Sequence, residues 1–212
     1  MFFSNNVVPS SVKARWLDRT EQVLLVVAYG WLLLRIWPEQ VQVHNWFSLL
    51  LLASEGIVVI FVLIRRPTEL ISDRPWDWFI AVAGTFLALA VGPGGAPLVT
   101  AAVAAPLLVL GVAIHTGAKL SLRRSFGIVA AARGVMDKGL YRLVRHPMYA
   151  GYFLTHLGYL LLAPSIWNLV VYMTVWLFLG ARILAEERML LKDPEYSAYA
   201  ERVRWRVVPL VY

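Results

Sequence analysis

The chain has 212 residues, of which 59% are hydrophobic and only 16% charged, against roughly a quarter charged in an ordinary soluble domain, so little water-soluble core can exist and the composition is that of a membrane protein. There is no cysteine, which excludes disulfides, thiolate nucleophiles and cysteine-ligated metals. The net charge of +7 is scattered between apolar blocks rather than gathered in one patch, which argues against nucleic acid and for anionic lipid headgroups as its counterpart.

The apolar blocks approach the ~20 residues needed to cross a hydrocarbon core of about 30 Å, and they predict spans at 20–37, 44–64, 77–91, 97–116, 148–163 and 166–190. Asn5–Ser11 reads as a frayed terminus. The first block follows Lys13, Arg15 and Arg19 without a small-residue cleavage site, so it reads as an uncleaved span. Midway through the second block sits Glu55, where a carboxylate is costly and faces protein or a water-filled cavity, either as a functional group or protonated and paired. Gly92-Pro93-Gly94-Gly95-Ala96-Pro97 marks a tight turn between the third and fourth blocks. No strand precedes it, so its glycines are not expected to cradle phosphate.

Lys and Arg alternate sides. They crowd the N-terminal segment, the second loop (Arg65, Arg66, Arg74), the fourth (Lys119, Arg123, Arg124, Arg133, Lys138, Arg142, Arg145) and the tail (Lys192, Arg202, Arg204, Arg206). Arg35 is the one base near the opposite side, where it can snorkel beside Trp37. The positive-inside rule then puts both termini in the cytoplasm, which requires an even number of spans. Trp16, Trp37, Trp46, Trp76, Trp78 and Trp167 fall near predicted span ends, as an interfacial belt requires. The expected fold is an all-α integral membrane protein of about six transmembrane helices, a single multi-pass domain with spans one to four in 1–118 and the chemistry in 119–212.

Two clusters in that second region carry the titratable groups. Lys138 to Gly151 enters the fifth span, with Pro147 suited to a first helical turn. The free backbone N–H groups expected there, beside Arg145 and His146, suit a ligand bearing a carboxylate or polar heteroatoms; the alternative is a plain helix start whose Arg145 grips headgroups. The second cluster ends the sixth span, where Arg182 and Glu186 share a face and Glu187 lies about 100° round the helix. That pair either binds a zwitterion or is a surface salt bridge. His156, on the face of Tyr149 with Tyr152 and Tyr159 nearby, is either a bundle-facing hydrogen-bonded group or a ligand contact. Tyr196, Tyr199 and Tyr212 are interfacial anchors or ligand contacts. The histidines, His44, His115, His146 and His156, have no HExxH-like spacing, so no metal is expected.

Taken together, Gly139-Leu140-Tyr141, Arg145-His146-Pro147-Met148-Tyr149-Ala150-Gly151, Arg182 with Glu186-Glu187, and the Tyr196, Tyr199, Val203 and Pro209 tail resemble the isoprenylcysteine carboxyl methyltransferase family and its bacterial relatives over about Ser125 to Pro209. The resemblance implies a membrane methyltransferase that uses S-adenosylmethionine in a non-Rossmann pocket at the cytoplasmic side. It places that pocket on Arg133, Gly134, Val135, Met136, Tyr141, His146, Pro147, Met148, Tyr149 and Glu186, and an acceptor-contacting arginine on Arg182. Where eukaryotic members are polar this chain has Ala130-Ala131-Ala132, which puts contacts there in doubt. The implied partners are the bilayer and a lipophilic methyl acceptor. A carboxylate acceptor needs no base, only orientation by Arg182. An amine, thiol or hydroxyl would bring in Glu187 or His156. The competing readings are an NADPH-dependent sterol-type reductase, with Arg202, Arg204 and Arg206 on the cofactor phosphates, and a non-catalytic scaffold or transporter.

Overall fold

The computed structural model describes residues 12–42, 46–68 and 70–211, and within them the side chains outside 35–42 and 46–52. The expectations for Asn5–Ser11, for the Arg35, Trp37 and Trp46 side chains, and for His44 and Tyr212 lie outside the described residues. Among those residues the chain forms α1 (Val12–Gln42), α2 (Trp46–Leu63), β1 (Leu70–Ile71), α3 (Pro75–Phe86), α4 (Ala101–Leu122), β2 (Ala131–Ala132), α5 (Pro147–Leu162), α6 (Ile166–Leu190) and α7 (Pro194–Arg202). Each predicted apolar block thus carries a helix. Ala101–Ser125 and Ile166–Leu190 are long and apolar enough to cross a membrane, while Ala53–Leu63 and Pro75–Ala90 are shorter apolar helices.

Helix ends depart from the hydropathy pattern where charges find partners inside the protein. The first helix already includes Val12, well before residue 20, because Asp18 and Glu21 of its polar first turns point inward, while Lys13 pairs with Asp73 at the surface at 2.7 Å. On α4, Lys119 is fully buried. Its ammonium donates to Glu55 Oε1 at 2.7 Å and to Ser54 Oγ at 3.1 Å, so the helix continues to Leu122 through a residue the hydropathy pattern assigns to a loop. Glu55 is accordingly an ion-paired carboxylate. Missing from the sequence reading are the short strands and α7, which Asp193 caps by accepting from the Glu195 amide at 2.9 Å with Pro194 in its first turn.

Helices α4 and α5 run antiparallel with their backbones in contact. A Cβ on Gly151 would lie 2.5 Å from the His115 amide nitrogen and 2.7 Å from the Gly111 oxygen, the close approach that small residues permit between apolar helices. At the far end, the buried Asn168 side chain accepts from Gly92 N at 3.0 Å and donates to Gly92 O at 2.9 Å and Ala163 O at 2.8 Å. Gly95 N is taken by Pro164 O at 2.6 Å. The glycine turn therefore closes on the α5–α6 corner.

The remaining organising feature is a buried quartet of charges. Asp18 and Glu21 of α1 face Arg65 and Arg133, with contacts of 2.9 Å from Arg65 to each carboxylate and of 2.8 and 2.6 Å from Arg133 to Asp18 and Glu21. Glu21 Oε1 also accepts from the amides of Ile128 and Val129 at 2.7 and 2.9 Å. Two cations and two anions cancel, and each compensates a desolvation cost of several kcal/mol per ion. The β1–β2 ladder, pairing Leu70 with Ala132 and Ile71 with Ala131, fixes the same loop from its other side.

Two stability effects follow. Gly151→Val should cost at least ~1–3 kcal/mol, read as a lower denaturation midpoint of the detergent-solubilised protein, because neither helix backbone can yield a side chain's width. Glu21→Ala should cost about 3–5 kcal/mol in the same assay, since it leaves two buried guanidiniums facing one carboxylate; a change under about 0.5 kcal/mol would contradict the burial.

Candidate active site

Two cavities meet beside the C-terminal half of α6. The first is a cleft with about 740 Å³ of empty space, the open solvent at its mouth included. The segment from Leu122 to Met136 forms one wall, the start of α5 a second, and Glu186, Leu190, Tyr196 and Tyr199 the rest. Of the residues expected to bind a cofactor, Arg133, Gly134, Val135, Met136, Tyr141, Arg145, His146, Met148, Tyr149 and Glu186 all line it. Pro147 does not: it is buried in the first turn of α5, where it positions His146 and Met148 on either side.

The second cavity lies deeper among α1 to α6, lined by Tyr29, Glu55, Thr85, His115, Tyr152, His156 and Arg182 among apolar neighbours such as Leu32, Phe86, Leu89 and Leu179. Met148 walls both cavities. Arg182 marks their junction: it lines the deeper cavity while its Nε donates to Glu186 Oε1, a cleft residue, at 3.0 Å. Tyr149 Oη donates to the same oxygen at 2.6 Å. The guanidinium is further held by Thr85 Oγ1 and by the Gly127 carbonyl, both at 3.2 Å, and lies 5.5 Å from the centre of the Tyr149 ring, a cation–π contact. These bonds use three of its N–H donors and leave others over.

Beside that junction, His146 sits between two carboxylates, Nε2 at 3.3 Å from Glu187 and Nδ1 at 3.6 Å from Glu186. Glu187 lines neither cavity. It is held by Arg145 at 2.9 Å and by Arg206 at 2.6 Å, so its carboxylate ties the entry of α5 to the tail. The backbone repeats that tie: the amides of Arg145 and His146 donate to the carbonyls of Trp205 and Arg206 at 2.9 and 2.7 Å. The structure likewise commits the Arg133 guanidinium to Asp18 and Glu21, so this residue contributes wall rather than a free cation. His156 lines the deeper cavity; its Nδ1 accepts from Trp176 Nε1 at 3.2 Å and its ring stacks on Tyr172 at 4.5 Å. That bond requires an unprotonated Nδ1, which puts the proton of the neutral ring on Nε2.

Two tyrosines of α7 complete the cleft. Tyr199 Oη donates to the Tyr141 carbonyl at 2.7 Å. Burial raises both the Tyr196 and Tyr199 phenols, with Glu187 adding to the effect at Tyr196, so both remain hydroxyl donors at neutral pH. Sequence reasoning did not find Ser125, Gly127 or Val129 in the cleft, nor Tyr29, Thr85 and His115 in the deeper cavity. The only signal available for the last three is a polar residue inside an apolar block.

Residues 96–192 match a family described as the isoprenylcysteine carboxyl methyltransferase family. Among characterised proteins, the chain is 31% identical over 104 residues to protein-S-isoprenylcysteine O-methyltransferase of Schizosaccharomyces pombe, covering 45% of this chain and 44% of the relative. Over 105 residues it is 30% identical to protein-S-isoprenylcysteine O-methyltransferase A of Arabidopsis thaliana, covering 46% and 53%. The chain thus matches about half the length of these relatives. A solved structure of the eukaryotic intramembrane Ras methyltransferase, isoprenylcysteine carboxyl methyltransferase, superposes with a TM-score of 0.47 at 18% identity over 80% of this chain and 69% of the other. Through residues 96–192, which contain α4, α5, α6 and most of the walls of the cleft, the chain is similar to the isoprenylcysteine carboxyl methyltransferase family.

Proposed function

We propose that the chain is an integral membrane methyltransferase that holds S-adenosylmethionine in the cleft and admits a lipophilic carboxylate acceptor to the deeper cavity. The observation that carries this reading is the junction itself, where one buried pair, Arg182 and Glu186, presents its cation to one cavity and its anion to the other. The names of the relatives favour an acceptor of isoprenylcysteine type, an apolar chain that ends in a carboxylate. In this reading six helices cross the bilayer, both termini and the cleft are cytoplasmic, and the exposed bases Arg15, Arg66, Arg74, Arg123, Arg124 and Lys138 face the inner headgroups.

The cleft fits the cofactor by its unsatisfied groups. Among the described residues, Tyr196 Oη and Arg145 Nε are buried without a hydrogen-bond partner, an arrangement that persists where a ligand supplies one. Glu186 would take the ligand's ammonium or a ribose hydroxyl, Tyr196 one of its acceptors, and Val129, Met136 and Leu190 its apolar surface. When bound, the cofactor supplies a methyl group on a cationic sulfonium, and transfer to an anion cancels charge, which a dry site favours.

Each protein group then has a positional task. Arg182 offers its remaining N–H donors to the acceptor carboxylate and holds it at the junction. Leu32, Phe86, Leu89 and Leu179 keep water from the cavity and strengthen that hold. Glu187 positions His146 and Arg145 rather than taking a proton, and His156 lines the acceptor's cavity. Against the reductase reading, Arg206 is paired with Glu187 and Arg202 faces Asp137 at 3.6 Å, and none of Arg202, Arg204 and Arg206 lines the cleft.

Titration of the purified protein in detergent should show S-adenosylmethionine binding and no NADPH binding; binding of the reduced nucleotide alone would reject the assignment. Glu186→Ala should weaken cofactor affinity by about 10- to 100-fold, the worth of a charge-assisted hydrogen bond. Arg182→Ala should leave that affinity within about threefold while lowering methyl transfer to a prenylcysteine acceptor by about 100-fold or more, with Arg182→Lys recovering part of the loss. Thermal melting of each variant separates these outcomes from unfolding.

A further inference from the structure

Behind the cleft wall formed by Leu122, Ser125 and Met136 lies a separate groove, which those residues also line on its other side. Its charged lining is Arg66, Arg123, Arg124 and Lys138, with no carboxylate among the lining residues. None of these four bases forms an ion pair among the described residues, although Arg124 Nε donates to the Ile64 carbonyl at 2.8 Å and the Arg66 amide to the Arg124 carbonyl at 2.7 Å. Nearby, Arg65, Lys119, Arg133 and Arg145 are each matched by a carboxylate. Four like charges round one concavity repel each other, and among the described residues, unlike Arg65, Lys119, Arg133 and Arg145, none of them meets a carboxylate.

Backbone conformation adds a second observation. Arg123 ends α4 at φ 46° and ψ −114°, a strained conformation for a residue with a side chain, of a kind that persists where surrounding structure or a ligand compensates for it. The groove is also bordered by grease: Leu63, Ile64 and Leu120 are 57%, 49% and 47% exposed, and Leu120 lines it. Cations beside an exposed apolar helix surface complement an amphiphile that carries a phosphate.

We propose that this groove is a binding site for the phosphate of an anionic phospholipid, its acyl chains lying along α4 and the end of α2. Guanidiniums grip phosphate oxygens in a forked geometry while Lys138 acts as a point charge. A lipid seated there fixes the depth of the cleft mouth relative to the headgroup layer. The site is independent of methyl transfer, and its test does not depend on the cofactor.

The full chain is purified in detergent, given an equimolar mixture of phosphatidylglycerol and phosphatidylcholine, and the lipids it retains are counted by native mass spectrometry. Phosphatidylglycerol should be retained about tenfold over phosphatidylcholine, as roughly 1 kcal/mol per surface base allows. The combined variant Arg66→Gln, Arg123→Asn and Lys138→Gln should fall to near parity, with Asn chosen because it tolerates positive φ. Should that variant fail to fold, Lys138→Gln alone should still lower the ratio severalfold. Displacement of the lipid by millimolar inorganic phosphate would keep the phosphate site and reassign it to a soluble ligand. A ratio equal in parent and variants, or no preference in the parent, would overturn the proposal.

Discussion

The neutral quartet of Asp18, Glu21, Arg65 and Arg133 is the contact on which the cleft depends. None of its charges has water to fall back on, so each must be answered by another. Glu21 does more than neutralise: its Oε1 gathers the amides of Ile128 and Val129 and so shapes the loop that walls the cleft. The adjacent Gly127 carbonyl then receives Arg182. A Cβ at Gly127 would run into the Arg133 guanidinium and come within 3.1 Å of Glu21 Oε1, so a glycine is what lets the loop lie against the quartet. Asp18, Glu21 and Arg65 all precede residues 96–192, the segment that carries the family match. The N-terminal half thus supplies the charges that hold the family segment in shape.

From that loop the constraint passes to the junction. Arg182 spends its donors on Glu186, Thr85 and Gly127, drawing α3, α6 and the loop onto one planar cation. Tyr149 joins from α5. A guanidinium suits this place because its donors lie in one rigid plane and it stays charged when buried. The neighbouring carboxylate, Glu187, faces the other way and locks the tail to the start of α5. Two adjacent residues of one helix therefore serve two purposes, separated by about 100° of helical rotation.

Charge placement also divides the molecule's bases into two populations. Arg65, Lys119, Arg133 and Arg182 lie inside with partners, whereas Arg66, Arg123, Arg124 and Lys138 are exposed beside an apolar surface. Hydropathy counts them alike. The inner group builds the cavities and the outer one faces the medium, which is why net charge by itself describes neither.

Residue order alone predicted a helix in each apolar block, the turn at Gly92 to Pro97 and, through the resemblance carried by the Arg145–Gly151 and Arg182–Glu187 motifs, most of the residues that line the cleft, because segment length, breakers and short motifs are local properties. Spacing on α6 was enough to pair Arg182 with Glu186 and to turn Glu187 aside. Only the tertiary structure decided what each charged end touches. That Glu187 binds the tail, that Arg133 and Lys119 point inward to Glu21 and Glu55, and that Tyr29, Thr85 and His115 share a cavity with Arg182 all depend on contacts between residues far apart in the chain. An ion pair is a property of two positions in space, and a single side chain carries no record of where its counter-charge will come from.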